Sequence, residues 1–289
     1  MALIMDRFGL SSKEGALRLD FIPGKSHTFR SISEDRTGCL VENTKWTVDD
    51  TCELDDVLSS LAANREVFAL EEESGTRHYR LVRDNAWRPG RHTLGPYRPT
   101  EPVKSLFFKP REFLGNWLDS SPAANTEPGE RIVFGIKNCD LSSLTVHDHV
   151  FMGNGSVDAS YADARARTLL VAADCTDHQD SCFCPGVGEQ PYAKQGFDIN
   201  IARTPEGVLI ESGSVRGATA LEAVAVCLKP AGTDLLAAVE NQREAHTRTL
   251  ADHARAHGVV PGADLRQAVE KSFTSDLWNK FAVDCVECG

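Results

Sequence analysis

The chain has 289 residues, of which 41% are hydrophobic and 25% charged, a composition typical of a globular protein with one large domain or two ordinary ones. Its formal net charge of −11 argues against nucleic acid as the main partner, because phosphate binding needs a basic surface. No apolar run approaches the roughly 20 residues that span a bilayer, and the N-terminal sequence lacks the features of a secretory signal, so we expect a cytoplasmic protein.

The first hundred residues give weak secondary-structure signals. Residues 1 to about 50 are polar and turn-rich, with faint strand patterns at LRLDFI and KWTV. The segment LDDVLSSLAANREVFAL places apolar residues at helical spacing and predicts a helix from about 54 to 72. The later segment AWRPGRHTLGPYRPTEPV is rich in proline and glycine, which predicts a loop or an extended linker.

From residue 131 onward, strand and helix patterns alternate. RIVFGI at 131–136 and TLLVAAD at 168–174 are short apolar runs typical of buried strands. Between them, DLSSLTVHDHVF predicts a helix with Asp140 as its N-cap. FDINIA and GVLIES predict a hairpin. The fold class is therefore mixed α/β with a sheet-based core, and further helices are predicted at about 217–228, 232–257 and 263–280.

Cysteines follow both of the predicted buried strands. Cys139 lies three residues after the first strand and Cys175 directly follows the second, and Cys182 and Cys184 complete the spacing C-x6-C-x-C. Open α/β sheets hold ligands in the crevice at the carboxyl ends of their strands. If the two strands are neighbours, we expect the four thiols to converge there.

Three interpretations of these thiols stay open. They can be buried apolar residues, since free cysteine is often buried. They can bind zinc, although structural zinc sites usually use C-x2–4-C pairs and C-x-C is tighter than that pattern. Four thiolates are also the standard ligand set of a [4Fe–4S] cluster, which Pro185 after the last cysteine and a helix N-terminus near the first one favour. We therefore predict a [4Fe–4S] cluster as the cofactor, with Cys139, Cys175, Cys182 and Cys184 as its metal ligands.

The other cysteines give a second pattern only at the chain end, Cys285-x2-Cys288 followed by glycine. A bacterial ferredoxin motif begins in this way, but two cysteines cannot hold a four-iron cluster by themselves. The pair therefore predicts an incomplete ferredoxin-like module, with a chance pair as the alternative. Cys39, Cys52 and Cys227 have no close cysteine partner, disulfides are not expected in a reducing cytoplasm, and Cys227 is predicted to lie in the core.

The histidines are weaker candidates for a site. His147 and His149 lie two residues apart on a predicted helix, so they point to roughly opposite sides and are not expected to share a metal. His178 lies inside the cysteine loop, where a solvated side chain is a simpler interpretation than a hydrogen bond to a cluster sulfur. No catalytic residues are predicted, because the sequence carries no Walker motif, dinucleotide fingerprint or G-x-S-x-G.

Several blocks occur in the order expected of a known family: GIKNCDLSSLTVHDHVFMG, DCTDHQDSCFCPGVGEQPYAKQGFDINI, VLIESGSVRG and WNKFAVDCVECG. From about residue 96 onward, the chain resembles the iron–sulfur beta subunit of cytoplasmic sulfhydrogenases and the A subunit of anaerobic sulfite reductase. Subunits of this kind pass electrons between a flavin-containing reductase subunit and a catalytic subunit. They carry two ferredoxin-type [4Fe–4S] clusters in a C-terminal part that continues beyond C-x2-C-G. The resemblance implies that this chain lacks those two clusters and keeps a further one at the four upstream cysteines.

The predicted function is a non-catalytic iron–sulfur electron-transfer subunit of a multi-subunit cytoplasmic oxidoreductase, hydrogenase-like or sulfite-reductase-like. Its expected partners are a flavin-containing reductase subunit and a catalytic redox subunit in a hetero-oligomer, without nucleic acid or membrane. The alternative is a zinc-binding or purely structural assembly module that docks redox partners without carrying electrons. We expect an α+β region at 1–95, an α/β cysteine-cluster domain at 96–262, and a helix leading into a truncated ferredoxin-like module at 263–289.

Overall fold

A computed structural model describes residues 31–34, 40–82, 84–108, 129–153, 157–260 and 264–283. The strands in these ranges are β1 (Ser31–Glu34), β2 (Leu40–Asn43), β3 (Lys45–Val48), β4 (Glu66–Glu73), β5 (Thr76–Val82), β6 (His92–Thr93), β7 (Arg131–Ile136), β8 (Thr168–Ala173), β9 (Ile199–Thr204), β10 (Gly207–Ser212) and β11 (Leu228–Pro230). The α-helices are α1 (Leu54–Ala62), α2 (Asn138–Met152), α3 (Ala159–Arg167), α4 (Val215–Glu222), α5 (Thr233–Ala256), α6 (Leu265–Ser272) and α7 (Leu277–Val283).

Nine of the strands form one mixed sheet. Its order is β11-β3-β10-β9-β8-β7-β4-β5, and β6 pairs with β4. The four central strands β4, β7, β8 and β9 run parallel, whereas the pairs on either side of them are antiparallel. The predicted mixed α/β class is confirmed. Strands from both sides of residue 96 meet in this sheet, because β4 lies beside β7.

The two central strands β7 and β8 are buried along their whole length. Alternate residues of a strand point to opposite faces, and those faces contribute to two separate hydrophobic clusters. Ile132 and Phe134 pack into the cluster that includes α1 and α4, whereas Val133 and Ile136 pack with α2 and α3. Helices therefore cover both faces, which explains why the sequences of β7 and β8 are apolar after their first residue instead of alternating.

The structure confirms the strands and the hairpin predicted in the second half. β7 and β8 cover the two apolar runs, and they lie side by side and parallel. β9 and β10 form the antiparallel hairpin, with Thr204 opposite Gly207 at its turn. The long helix predicted at 232–257 is α5. Because β7 and β8 are parallel neighbours, their carboxyl ends meet at one edge of the sheet.

The helix predicted from 54 to 72 is wrong in its second half. α1 ends at Ala62, and residues 66–73 form β4. Asn64 adopts a left-handed backbone conformation with φ of 61°, which ends the helix. The apolar run EVFAL that follows fits either a helix or a buried strand by its pattern alone, and pairing with β5 and β7 decides for the strand.

Two later helix predictions are also wrong in their boundaries. α4 ends at Glu222, and the residues predicted as its last turn form a 3-10 helix followed by β11, which pairs with β3 and forms the edge of the sheet. The single helix predicted at 263–280 is two short helices, α6 and α7, and neither buries a residue. Without a packed face, no tertiary contact favours one continuous helix over two.

Cys52 and Cys227 form a disulfide, with their Cα atoms 5.5 Å apart, so the expectation that they lack a partner is wrong. They meet because β3 precedes Cys52, β11 follows Cys227, and the two strands pair. Cys227 does lie in the core, as predicted. Cys39, Cys285 and Cys288 fall outside the described ranges. In the part of the chain that the structure describes, no helix is both long and apolar enough to cross a membrane.

Candidate metal centre

Cys139 lies in the first turn of α2, just beyond the carboxyl end of β7. The backbone leaves the sheet at Lys137, which is the N-cap and has an extended conformation. The prediction that Asp140 caps this helix is wrong, because Asp140 is the third residue of α2. Its buried carboxylate instead accepts a hydrogen bond of 3.4 Å from the backbone N–H of Val103. Cys139 is therefore held by a rigid element and not by a flexible loop.

Cys175 begins the loop after β8, and backbone hydrogen bonds hold this part of the loop. The N–H of Cys175 donates to the carbonyl of Pro191, and the N–H of Thr176 donates to the carbonyl of Pro96, each at 2.8 Å. These bonds join the start of the loop to two other segments of the chain. The position of Cys175 relative to Cys139 is thus set by the sheet and by these two contacts.

Cys182 and Cys184 lie farther along the same loop. The backbone N–H of Gln179 donates to the Cys182 sulfur at 3.3 Å, and Cys182 donates its own N–H to the Gln179 carbonyl at 2.9 Å. Cys184 opens a 3-10 helix, and its carbonyl accepts from the N–H of Glu189 at 2.9 Å. The Glu189 carboxylate in turn accepts from Asn138 Nδ2 at 3.0 Å, which links the loop to the start of α2.

The structure brings the four predicted thiols together. All four are free and partly buried, and electrostatic interactions between thiols connect every pair of them. Cys139 and Cys184 share a hydrogen bond, which lowers the pKa of Cys139 and raises the pKa of Cys184. Burial raises the pKa of Cys175 to about 12. A metal bound here would have to displace these thiol protons, so binding would weaken as the pH falls.

The spacing of the thiols bears on the kind of metal. A single tetrahedral zinc ion with bonds of about 2.3 Å brings its sulfur ligands to about 3.8 Å from one another. Among the residues that the structure describes, the only three potential ligand atoms that all lie within 4.8 Å of one another belong to Asp180, His253 and His257. No three of the four thiols meet that limit. The thiols, as the structure places them, therefore do not form a compact site for a single ion.

A buried lysine lies beside the thiols. Lys137 is fully buried, and its Nζ donates to the carbonyls of Gly95, Ala173 and Asp174 at 2.6, 3.2 and 3.3 Å. Burial lowers the pKa of Lys137, and the nearby Cys175 acts in the opposite direction. Three carbonyl acceptors require three N–H donors, which only the charged ammonium form possesses. In that form Lys137 favours an anionic occupant of the site.

A buried ion-pair network holds α5 against the sheet where the cysteine loop begins. Arg243 of α5 bonds to Asp174 at 2.7 Å and to Glu211 of β10 at 2.6 Å. Asn200 Nδ2 donates to both carboxylates, at 2.9 and 3.2 Å. Burial raises the pKa of Asp174, whereas the pKa of Glu211 is lowered by Arg243 with help from Lys45, in spite of its burial. The network fixes the residue that directly precedes Cys175.

Sequence reasoning missed the residues around the thiols. A lysine after a buried strand and an arginine in a long amphipathic helix are common, so Lys137 and Arg243 carry no recognisable signal. His253 and His257 did offer one, the spacing H-x3-H in the predicted long helix, which puts both imidazoles on one face. His178 is only partly exposed, and its ring lies 4.6 Å from the ring of His253.

No family model matches the chain, and no solved structure matches it. The chain is similar to Sulfhydrogenase 2 subunit beta of Pyrococcus furiosus, with 26% identity over 188 residues. The aligned stretch covers 65% of this chain and 54% of that relative, so the chain spans about half the length of the curated relative that it matches. This similarity supports the resemblance to sulfhydrogenase beta subunits.

The residues at the sheet edge have the donor chemistry that an iron–sulfur cluster uses. The donor set is four cysteine thiols, which is the usual ligand set of a [4Fe–4S] cluster. The first turn of α2 and the Lys137 ammonium provide the positive electrostatic environment that such a cluster with four thiolates requires. No disulfide uses any of the four sulfurs, so all remain available as ligands.

Proposed function

We propose that this chain is an iron–sulfur electron-transfer subunit of a multi-subunit cytoplasmic oxidoreductase. In this proposal, Cys139, Cys175, Cys182 and Cys184 hold one [4Fe–4S] cluster, which supplies one-electron transfer. The similarity to a sulfhydrogenase beta subunit supports the role as an oxidoreductase subunit. The arrangement of the thiols supports the cofactor.

One observation carries the proposal. Four free thiols, one in the first turn of α2 and three in the loop after β8, interact with one another next to the buried Lys137 side chain. Burying the Lys137 side chain is costly, because desolvation penalises its charged form. A bound cluster removes the cost, since it takes up the thiolates and offsets the charge of Lys137.

The protein's own residues would tune and protect such a cluster. Lys137 and the N–H groups of the first turn of α2 stabilise negative charge, so they favour the reduced state and raise the reduction potential. Burial of the thiols keeps bulk water away from the sulfur ligands. Cys184 opens the 3-10 helix Cys184–Val187, and Pro185 fits its first turn because a proline lacks only an N–H that would have no partner there.

The cysteine loop also has features that suit a docking partner. Phe183, between two of the cysteines, is 53% exposed, and Val187 in the same loop is 42% exposed. Exposed apolar side chains beside a redox site would let a partner approach within electron-transfer distance. We propose a flavin-containing reductase subunit and a catalytic redox subunit as the two partners, in a hetero-oligomer.

Visible absorption of anaerobically purified protein tests the cofactor. The wild type should be brown, with a broad visible band that bleaches on reduction, as iron–sulfur proteins are. Replacing Cys182 with serine should remove most of this band. The matched control is the double variant Cys52→Ala/Cys227→Ala, which also removes sulfurs but in a different part of the sheet, and its band should persist.

A colourless protein that binds zinc through the same cysteines would refute the cofactor and leave the assembly module as the function. The partner proposal needs a separate test. Co-expression with neighbouring genes followed by light scattering should give a complex larger than this chain, and the flavin subunit in that complex should bleach the visible band when its electron donor is added. A strictly monomeric chain under these conditions would contradict the proposed partners.

A further inference from the structure

A second group of potential metal ligands lies where the cysteine loop meets the C-terminal end of α5. Asp180 belongs to that loop, and His253 and His257 lie one turn apart near the end of α5. One ligand atom from each of the three lies within 4.8 Å of the other two. We propose that these residues bind a divalent transition-metal ion of the zinc class, separate from the four thiols.

Helix geometry brings the two histidines to one face, since residues four apart are neighbours on a helix. Two histidines at this spacing are a common zinc pair, and an aspartate from another segment supplies a third ligand of the right kind. The loop and the helix are already in contact here, because a ring nitrogen of His253 lies 3.3 Å from the carbonyl oxygen of Asp180. The two segments that carry the ligands therefore already lie side by side.

The hydrogen bonds of the histidine rings leave one nitrogen of each ring available. Nε2 of His253 contacts the Asp180 carbonyl at 3.3 Å, and Nδ1 of His257 contacts the His253 carbonyl at 3.0 Å. A carbonyl oxygen only accepts, so each of these ring nitrogens carries the proton. The other nitrogen of each ring then has a free lone pair. Metal-bound histidines usually show this pattern, because a hydrogen bond to a carbonyl fixes the ring and its tautomer.

Two more histidines lie beside the group. The ring of His178 lies 4.6 Å from that of His253 and 5.9 Å from that of His246. Nδ1 of His178 and Nε2 of His246 are buried without a hydrogen-bond partner among the described residues. Nδ1 of His178 has the Asp177 carboxylate at 3.9 Å, which is too far for a hydrogen bond. Unsatisfied buried nitrogens of this kind call for a partner, but His178 does not belong to the group whose ligand atoms all lie within 4.8 Å of one another, so the proposed ligands are Asp180, His253 and His257.

The ligand chemistry distinguishes this group from the thiols. Imidazole and carboxylate ligands suit zinc and its neighbours, whereas four thiolates suit an iron–sulfur cluster. Asp180 lies two residues before Cys182, so an ion bound here would join the cysteine loop to α5. The proposal does not depend on the cluster, since it uses none of the four thiols.

Binding of Co²⁺ and Zn²⁺ to the full chain tests the proposal. We expect one Co²⁺ per chain with visible d–d bands but without the near-ultraviolet charge-transfer band of a thiolate ligand, and Zn²⁺ should displace it. The variant His253→Ala/His257→Ala should lose at least about 100-fold in affinity, because even the loss of an outer partner costs up to that much. The control His78→Ala/His149→Ala removes two histidines elsewhere and should bind as the wild type does.

His253→Ala increases intrinsic helix propensity inside α5 and His257 is only its C-cap, so α5 should stay folded, which far-ultraviolet circular dichroism checks. Equal affinity of wild type and test variant would overturn the proposal, as would the absence of binding or a spectrum with thiolate bands only. The test is separate from that of the cluster. The variant Cys182→Ser should lose the iron band and keep the cobalt spectrum, whereas the histidine variant should do the reverse.

Discussion

Arg243 joins two buried carboxylates at the start of the cysteine loop, and replacing it with leucine tests whether that network holds the loop. The side chain of Asp174 is 5% exposed and that of Glu211 is 11% exposed, so neither carboxylate can turn to water when the guanidinium is removed. Breaking a buried pair in this way costs about 3–5 kcal/mol of unfolding free energy. We expect the lower end, about 3 kcal/mol, because Asn200 still donates to both carboxylates and Lys45 remains 3.5 Å from Glu211.

The pH dependence of this loss has a definite sign. Without Arg243, the pKa of both carboxyl groups rises above the unfolded values, so the folded variant binds more protons than its unfolded state. Its stability therefore falls as the pH rises through those pKa values, and the difference from wild type is largest at neutral pH and shrinks towards about pH 5. Urea unfolding at several pH values measures this directly.

A matched control lies on the same helix. Arg248 pairs with Glu244 at 3.6 Å, and both side chains are exposed, so Arg248→Leu should change the unfolding free energy by no more than about 0.5 kcal/mol. If Arg243→Leu costs no more than this control, or if its cost grows as the pH is lowered, the network does not stabilise the loop in the way described.

Two further changes test the packing and the disulfide. Gly217→Ala should cost about 3 kcal/mol of unfolding free energy in urea, because the added Cβ would overlap the carbonyl oxygen of Asp198. In the control Gly129→Ala, the added Cβ meets no atom within 4 Å, so the unfolding free energy should hardly change. Equal effects of the two substitutions would show that Gly217 is not needed for this close approach. Reducing the bond between Cys52 and Cys227, which are 175 residues apart, should remove up to about 5 kcal/mol and lower the melting temperature of the wild type. Reductant should have no such effect on the variant Cys52→Ser/Cys227→Ser, and an equal drop in both proteins would show that the disulfide does not stabilise the fold.

The central sheet could be predicted from the sequence because its strands are buried on both faces. A run such as RIVFGI has no polar residue after its first position, and only a strand covered by helices on both sides tolerates that pattern. The predicted boundaries of helices and strands were wrong where strand pairing decided whether a segment became a helix or a strand. Residues 66–73 become a strand because β5 and β7 pair with them. The helix predicted to reach residue 228 is replaced at its end by a 3-10 helix that leads into β11, which pairs with β3.

The candidate site could also be predicted only in part. The sequence predicted that Cys139 and Cys175 lie near each other, because each follows a buried strand and the two strands were expected to be neighbours. The charges around them could not, because Lys137 and Arg243 act through contacts with residues distant in sequence. The disulfide between Cys52 and Cys227 could not be predicted either, since a separation of 175 residues gives no local sequence pattern.

The central claim is that the four upstream cysteines hold a [4Fe–4S] cluster without help from the terminal pair. The most direct measurement is iron and acid-labile sulfide per chain in anaerobically purified Cys285→Ala/Cys288→Ala protein. The account predicts about four irons and about four sulfides, and less than about one of each when Cys182→Ser is added. Loss of the iron in the Cys285→Ala/Cys288→Ala protein would contradict the claim, and so would an unchanged iron content after Cys182 is replaced.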